Sequence, residues 1–337
     1  MVRNVKVTIY DVAKEANVSI ATVSKVLNNS GRISEKTRKK VKQIMKELNY
    51  QPNMLASALM GKQTKTIGLL IPDLANPFFS ELARSIEDRG NELDYHLVIC
   101  NTDYNNAKEN RYLSLLKQKR VDGFILASGF EKLDKVQELI SEEIPVVIVA
   151  RDFPMFSVNA VALDDFMGGY LAAKHLVDLG HKNIGVIARD LWSNRERLRG
   201  FHHVLAENHL KLNPNFQFVN EVDHIKAGRN MAAKYIHSDN RPTAIFACND
   251  LLAAGVIQMA KELGLDIPQD LSVVGFDNTS IVSIIEPPLT TIAQPIQNMG
   301  KEVMDLMVSI INEEKDAKSR VTLLPSLVIR KSTEKIT

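Results

Sequence analysis

The sequence is short of cysteine. Cys100 and Cys248 are the only two in 337 residues, too few for a disulfide framework or an unaided structural zinc site. Each falls in an apolar, strand-like run, HLVIC and AIFAC, where a buried and inert thiol is expected. No apolar run reaches the roughly 18–20 residues that a membrane helix needs. The N-terminal MVRNVKVTIYDVAKEANVS holds no continuous apolar stretch of the kind that marks a secretory signal. The chain is expected in the cytoplasm, with no membrane partner. Catalytic signatures are missing too: no GxGxxG follows the first strand-like run, no phosphate-loop or GxSxG motif occurs, and the histidines show no HExxH spacing. No enzymatic activity, metal or cofactor is expected.

Charge is plentiful, and it is unevenly spread. Hydrophobic residues make up 45% and charged residues 24%, a balance that excludes disorder over most of the chain. The net charge of +2 conceals 12 Lys/Arg against 4 Asp/Glu in residues 1–62, and 30 against 36 in the remainder. A cationic end on an anionic body points to a polyanionic partner, although a solvated basic surface would look the same on charge alone.

The first sixty residues read as short helices. Thr8 and Asp11 have capping-box spacing and open a helix that Asn17 ends. Ser19 and Thr22 cap a second, with Val23, Val26 and Leu27 on its apolar face. After Asn28-Asn29-Ser30-Gly31, Ser34 caps a third, in which Val41, Ile44, Met45 and Leu48 recur at helical spacing. Two helices joined by a three-residue turn and buttressed by a third make a helix-turn-helix. The second helix of such a unit lies in the major groove. Lys25 could then donate to guanine, Ile20 and Ala21 could meet thymine methyls, and Ser24 sits beside them. Tyr10, Ser19, Thr22 and Asn28 are placed to hold phosphates.

The run from TIYDVAKEANVSIATVSKVLNNSG to LNYQPNMLASAL resembles the DNA-binding headpiece of the LacI/GalR family of transcriptional regulators. The resemblance adds Thr8, Tyr50 and Asn53 to the DNA-facing set. It implies a hinge helix from Asn53 to Leu59, with Leu59 as an apolar wedge in the minor groove. Seven residues are too few for a stable isolated helix, so such a hinge would form only where a second copy and the duplex bury it.

From Ile67 the pattern changes to short apolar runs (IGLLI, HLVIC, GFILA, PVVIVA, NIGVIA, FQFVN, AIFAC and SVVGF) alternating with amphipathic helices. This is an α/β pattern, with parallel sheets and helices on both faces. The fold expected is a small all-α headpiece followed by a two-subdomain, doubly wound core. Its parts are a headpiece at 1–52, a hinge and linker at 53–66, one subdomain at 67–163 with 293–325, and another at 164–292 with 326–337. The segment LTTIAQP and the helix after Pro295 read as a return to the first subdomain.

Ligands in such folds bind beyond the carboxyl ends of the strands. Those ends carry Asp73, Asn76, Asn101 to Asp103, Arg151, Arg189, Asn249, Asp250, Asp277 and Asn278. Asn76 and Asp250 could equally be helix caps. The body is similar to ribose-type periplasmic sugar-binding proteins, a fold shared by the LacI/GalR family. That resemblance implies ligand contacts from Asn76, Phe78, Phe79, Arg151, Arg197, Asn249, Asp277 and Gln294. Trp192 could cover a sugar ring or pack in the core. Ala150 stands where the receptors carry a carboxylate, which puts ribose in doubt and leaves room for a disaccharide, a sugar phosphate or another anion.

The resemblance implies a repressor of carbohydrate-utilisation genes, controlled by a sugar or sugar-phosphate effector. A palindromic double-stranded operator needs two recognition helices, hence a homodimer. The chain ends six residues after Lys331 without leucine heptads, so a dimer is expected over a tetramer. Some relatives take a phosphorylated carrier protein as corepressor, and whether the effector releases or promotes DNA binding stays open.

Overall fold

The computed structural model describes residues 7–27, 31–50, 63–127, 134–151, 157–314 and 319–336. These fall into two compact units that divide between Thr64 and Lys65. The expected hinge helix with Asn53 and Leu59, and the loop residue Asn28, lie outside the described residues.

In the first unit run α1 (Ile9–Ala16), α2 (Ile20–Leu27) and α3 (Glu35–Glu47). The Asp11 carboxylate accepts the Thr8 backbone N–H at 2.8 Å and its hydroxyl at 2.7 Å, so Thr8 serves the start of α1. Asn17 ends α1 in the left-handed region at φ 50°, a conformation that asparagine tolerates better than most residues. Ser19 Oγ accepts the Thr22 N–H and Ser34 Oγ the Thr37 N–H. Val12, Ala13, Ala16, Val23, Val26, Val41 and Ile44 meet in one core. Each buried valine or isoleucine contributes about 1.5–3 kcal/mol, which holds together helices too short to persist alone.

The second unit contains two sheets. The first joins β1 (Thr66–Ile71), β2 (His96–Asn101), β3 (Gly123–Ala127), β4 (Val146–Val149), β5 (Asn159–Leu163) and β10 (Arg320–Leu323), all parallel, in the order β10-β5-β4-β3-β1-β2. The second joins β6 (Ile184–Ile187), β7 (Ala244–Ala247), β8 (Ser272–Asp277), β9 (Thr290–Ala293) and β11 (Ser326–Val328) in the order β11-β9-β8-β7-β6, with only β11 antiparallel. Helices α4 (Pro77–Glu92), α5 (Asn106–Gln118), α6 (Asp134–Ser141) and α11 (Ile296–Ile311) flank the first sheet. Helices α7 (Asp165–Asp178), α8 (Trp192–Glu207), α9 (His224–Ile236) and α10 (Asp250–Glu262) flank the second. Covered on both faces, β3, β4, β6 and β7 are buried along their whole length and read as unbroken apolar runs. The chain passes between the sheets three times: after β5, after β9, and between β10 and β11.

Three expectations change. LTTIAQP does not return to the first sheet, because β9 pairs with β8 and the return begins only with α11. FQFVN forms no strand; Val219 alone bridges Arg189, just past the end of edge strand β6. Asn249 rather than Asp250 caps α10, accepting the Leu252 N–H at 2.8 Å. Asp250 is instead buried against Thr279 and Thr291, and burial pushes its carboxyl up to about 6.

Helices α7 and α8 touch backbone to backbone. A Cβ on Gly169 would lie 1.7 Å from the Arg197 carbonyl oxygen, and one on Gly200 1.9 Å from that of Phe166. Gly169→Ala forces these helices apart and lowers unfolding free energy by about 1–3 kcal/mol. The measurement is a fall in urea midpoint at constant slope; an unmoved midpoint would show that the crossing yields freely.

Candidate functional site

On the first unit, α2 anchors itself through Val23 and Val26 and leaves Ile20, Ala21 and Lys25 exposed. Ser24 and Thr22 are half-buried beside them, and Ser19 and Thr22 share a hydrogen bond of 2.9 Å between their hydroxyls. Tyr10 on α1 is 67% exposed, which leaves its ring and hydroxyl open to a partner. Tyr50 packs against the three-helix core, and burial raises its phenol. Basic side chains crowd the remaining surface: Lys14, Lys36, Lys39, Lys40, Lys42 and Lys46 are all exposed.

In the second unit a cleft opens between the sheets, beyond the carboxyl ends of their strands. Its inner cavity has a volume of about 60 Å³, room for about two water molecules. Asn76, Phe78 and Phe79 line it from the start of α4, and Tyr104 and Ala150 from the loops after β2 and β4. From the other sheet come Arg189 after β6, Asn194 and Arg197 on α8, His224 at the start of α9, Asn249 after β7, Asp277 at the end of β8 and Gln294 after β9. An outer chamber of about 480 Å³ shares Tyr104, Ala150 and Arg189 and adds Arg151, Asp190, Trp192, Arg195 and Asn220.

Many of these polar groups are already engaged within the fold. Arg197 donates from Nε to Asp165 Oδ1 at 2.8 Å and from Nη1 to the Cys248 carbonyl at 2.6 Å. Its guanidinium lies 3.5 Å from the Phe276 ring centroid. Burial pushes the Asp165 carboxyl up while the Arg197 charge pulls it back. Burial also pushes the Asp277 carboxyl well above its ordinary value, against the pull of Arg197, and its Oδ1 accepts from Gln294 Nε2 at 2.7 Å. Asn76 accepts the Phe78 N–H at 3.0 Å and so caps α4. Burial raises the Cys248 thiol to about 12, leaving it inert. Arg189 stands 4.5 Å over the Tyr104 ring, closing the cleft from one sheet to the other. Burial lifts the Tyr104 phenol to about 12. The arrangement offers many donors, several neutral acceptors and aromatic edges, and among the described residues it pairs no nucleophile with a base. It can bind a small polar molecule.

Known proteins resemble this chain along nearly its whole length. Residues 8–53 match the model of the bacterial regulatory proteins of the lacI family, and residues 173–333 that of the periplasmic binding protein-like domain. HTH-type transcriptional regulator DegA of Bacillus subtilis (strain 168) is 46% identical over 333 residues, covering 97% of this chain and 98% of the relative. The chain belongs to the LacI family. Catabolite control protein A of Priestia megaterium, another LacI-type relative, is 36% identical over 331 residues and covers 97% and 99% of the two chains. The structure of the lac repressor dimer bound to operator and the anti-inducer ONPF matches with a TM-score of 0.87 at 31% identity, covering 97% and 99%. These relatives are transcriptional regulators, so this LacI-family chain is a DNA-binding regulator and not an enzyme. No described helix is long and apolar enough to cross a membrane.

Within this LacI-family fold, the sequence-derived cleft residues fall into two groups. Asn76, Phe78, Phe79, Arg197, Asn249, Asp277 and Gln294 converge on the inner cavity; Arg151 and Trp192 line only the outer chamber. Trp192 is 44% exposed and is not a core residue. Sequence reasoning passed over Tyr104, Asn194 and His224. Tyr104 adjoins the polar strand end Asn101 to Asp103, a usable signal. His224 follows the helix cap Asp223, and nothing in that local pattern marks it as a cavity residue.

Proposed function

We propose that this regulator represses carbohydrate-utilisation genes, binding a two-fold operator as a homodimer in the cytoplasm, with a sugar or sugar phosphate in the inter-sheet cleft as its effector. The supporting observation is the face of α2: an isoleucine, an alanine and a lysine stand exposed side by side on a helix otherwise pinned by two buried valines. That face suits base edges, with Ser24 beside it and Tyr10, Ser19 and Thr22 at its flanks for phosphates. Thr8, Tyr50, Asn28, Asn53 and Leu59 complete the proposed DNA-facing set. The working division is a headpiece at 1–52, a hinge and linker at 53–66, and two effector subdomains, 67–163 with the return moved from 293 to 296 (296–325), and 164–295 with 326–337.

Control is a population shift: an effector that binds one relative arrangement of the subdomains more tightly favours that arrangement. Whether this strengthens or weakens operator binding depends on which arrangement the hinges need. The test is a binding titration on the protein's own upstream DNA, with and without candidate sugars. Lys25→Ala should cost about 1–3 kcal/mol at the preferred operator and relax the base preference at one position in each half-site. Equal loss on all sequences would assign Lys25 to a phosphate instead.

A further inference from the structure

His224 sits between two hydrogen-bond donors. Its Nδ1 lies 2.7 Å from Asn249 Nδ2, and its Nε2 lies 3.2 Å from Arg189 Nη1. The Asn249 amide cannot turn over, because its oxygen accepts the Leu252 N–H at the cap of α10. Neutral imidazole has one N–H and one acceptor. The shorter Asn249 contact marks Nδ1 as the accepting nitrogen, which places the ring proton on Nε2, facing a guanidinium that is itself a donor. His224 is only 5% exposed, and among the described residues this proton meets no acceptor, a costly state for a buried donor.

Two further features converge on the same spot. Arg189 is a half-buried cation that meets the His224 ring and both the ring and the hydroxyl of Tyr104, and it has no ion pair among the described residues. Among the described residues, Asp190 pairs twice with Arg195, Asp277 accepts from Gln294, and Asp223 accepts the Lys226 N–H; Asp73 accepts the Ala75 N–H and acts on His224 and Tyr104 only through its charge. Helix α8 also begins here. Its N-cap is Leu191, which supplies no side-chain acceptor, and Ser193 and Asn194 of its first turn line the inner cavity. A helix start with unmet N–H groups favours negative charge.

We infer that the cleft holds an oxyanion of its effector, a phosphoryl or carboxylate group, between His224 Nε2, Arg189 and the first turn of α8. With the Arg189 guanidinium turned off the ring edge, one oxygen at roughly 2.8 Å from each nitrogen can accept from both. The mismatch at His224 is thereby removed, and Arg189 gains a counter-ion that no described residue supplies. The inference rests on the cleft being the effector site and narrows the effector class to an anion, at the expense of neutral sugars.

Four probes test it on the full chain by calorimetry and thermal shift: inorganic phosphate, glucose 6-phosphate, gluconate and glucose. Inorganic phosphate should bind in the millimolar range or tighter. At least one of the two charged sugar derivatives should bind roughly tenfold or more tightly than glucose, and which one does so identifies a phosphoryl or a carboxylate group. Arg189→Met and His224→Gln should each remove that advantage. In the intact protein, ¹⁵N spectra should show the His224 Nε2 proton moving on phosphate addition, a readout that needs no variant. Equal binding of glucose and its charged derivatives, or no phosphate binding with a static His224 signal, would overturn the oxyanion site. Operator binding measured on the same samples separates the two readings, since its loss would strike the regulator reading and leave the anion result to stand alone.

Discussion

Asp165→Ala should lower the unfolding free energy of the second unit by about 3–5 kcal/mol. Asp165 and Arg197 form a buried ion pair, each side chain only 9% exposed. Removing the carboxylate strands a guanidinium that remains charged in proteins. The remaining partners of Arg197 are the Cys248 carbonyl and the face of Phe276. Replacing both partners, as in Asp165→Leu with Arg197→Met, should cost less than the two single changes together, because no charge is left unmatched. Urea titrations of the four proteins measure this coupling. Strict additivity would mean that the two groups ignore each other, and the cleft floor would then be held by packing alone.

Duplex binding should weaken by about 10³–10⁵-fold between about 50 and 200 mM salt, the response of a protein making roughly 6–10 phosphate contacts. The exposed Lys14, Lys25, Lys36, Lys39, Lys40, Lys42 and Lys46 of one headpiece provide the charge, and a two-fold complex doubles it. The second unit carries excess negative charge and adds little attraction, so the slope should belong to the headpiece. A logarithmic slope near zero on the upstream DNA would mean that these lysines only keep the surface solvated.

The helices of the first unit were legible because each boundary has a local cause. Thr8 with Asp11, Asn17 and Ser34 act within a few residues of themselves. The alternation of sheet and helix was legible for a similar reason, since buried parallel strands must be apolar throughout. FQFVN failed because strand formation depends on a partner. Its Val219 meets only the residue past the end of β6, and Phe216 and Phe218 pack against each other edge to face. In the cleft, the sequence placed polar residues at strand ends but could not show how each is used. Asn76 and Asn249 cap helices and line the cavity at once, whereas Asp250 is consumed by two threonines below it. His224 was invisible because its significance comes from two donors, 35 residues upstream and 25 residues downstream.

The three passages between the sheets constrain how the molecule can be made. Neither half of the second unit is a contiguous stretch, so a fragment ending near residue 163 lacks both α11 and the edge strand β10. Such a fragment would bare the apolar surface that Met299, Val303 and Met307 cover. On the ribosome the first half stays incomplete until Leu323 has emerged, some 160 residues after β5. Both halves must therefore close almost together once β10 and β11 have emerged, and a nascent chain stalled earlier offers an open sheet to chaperones or to its neighbours.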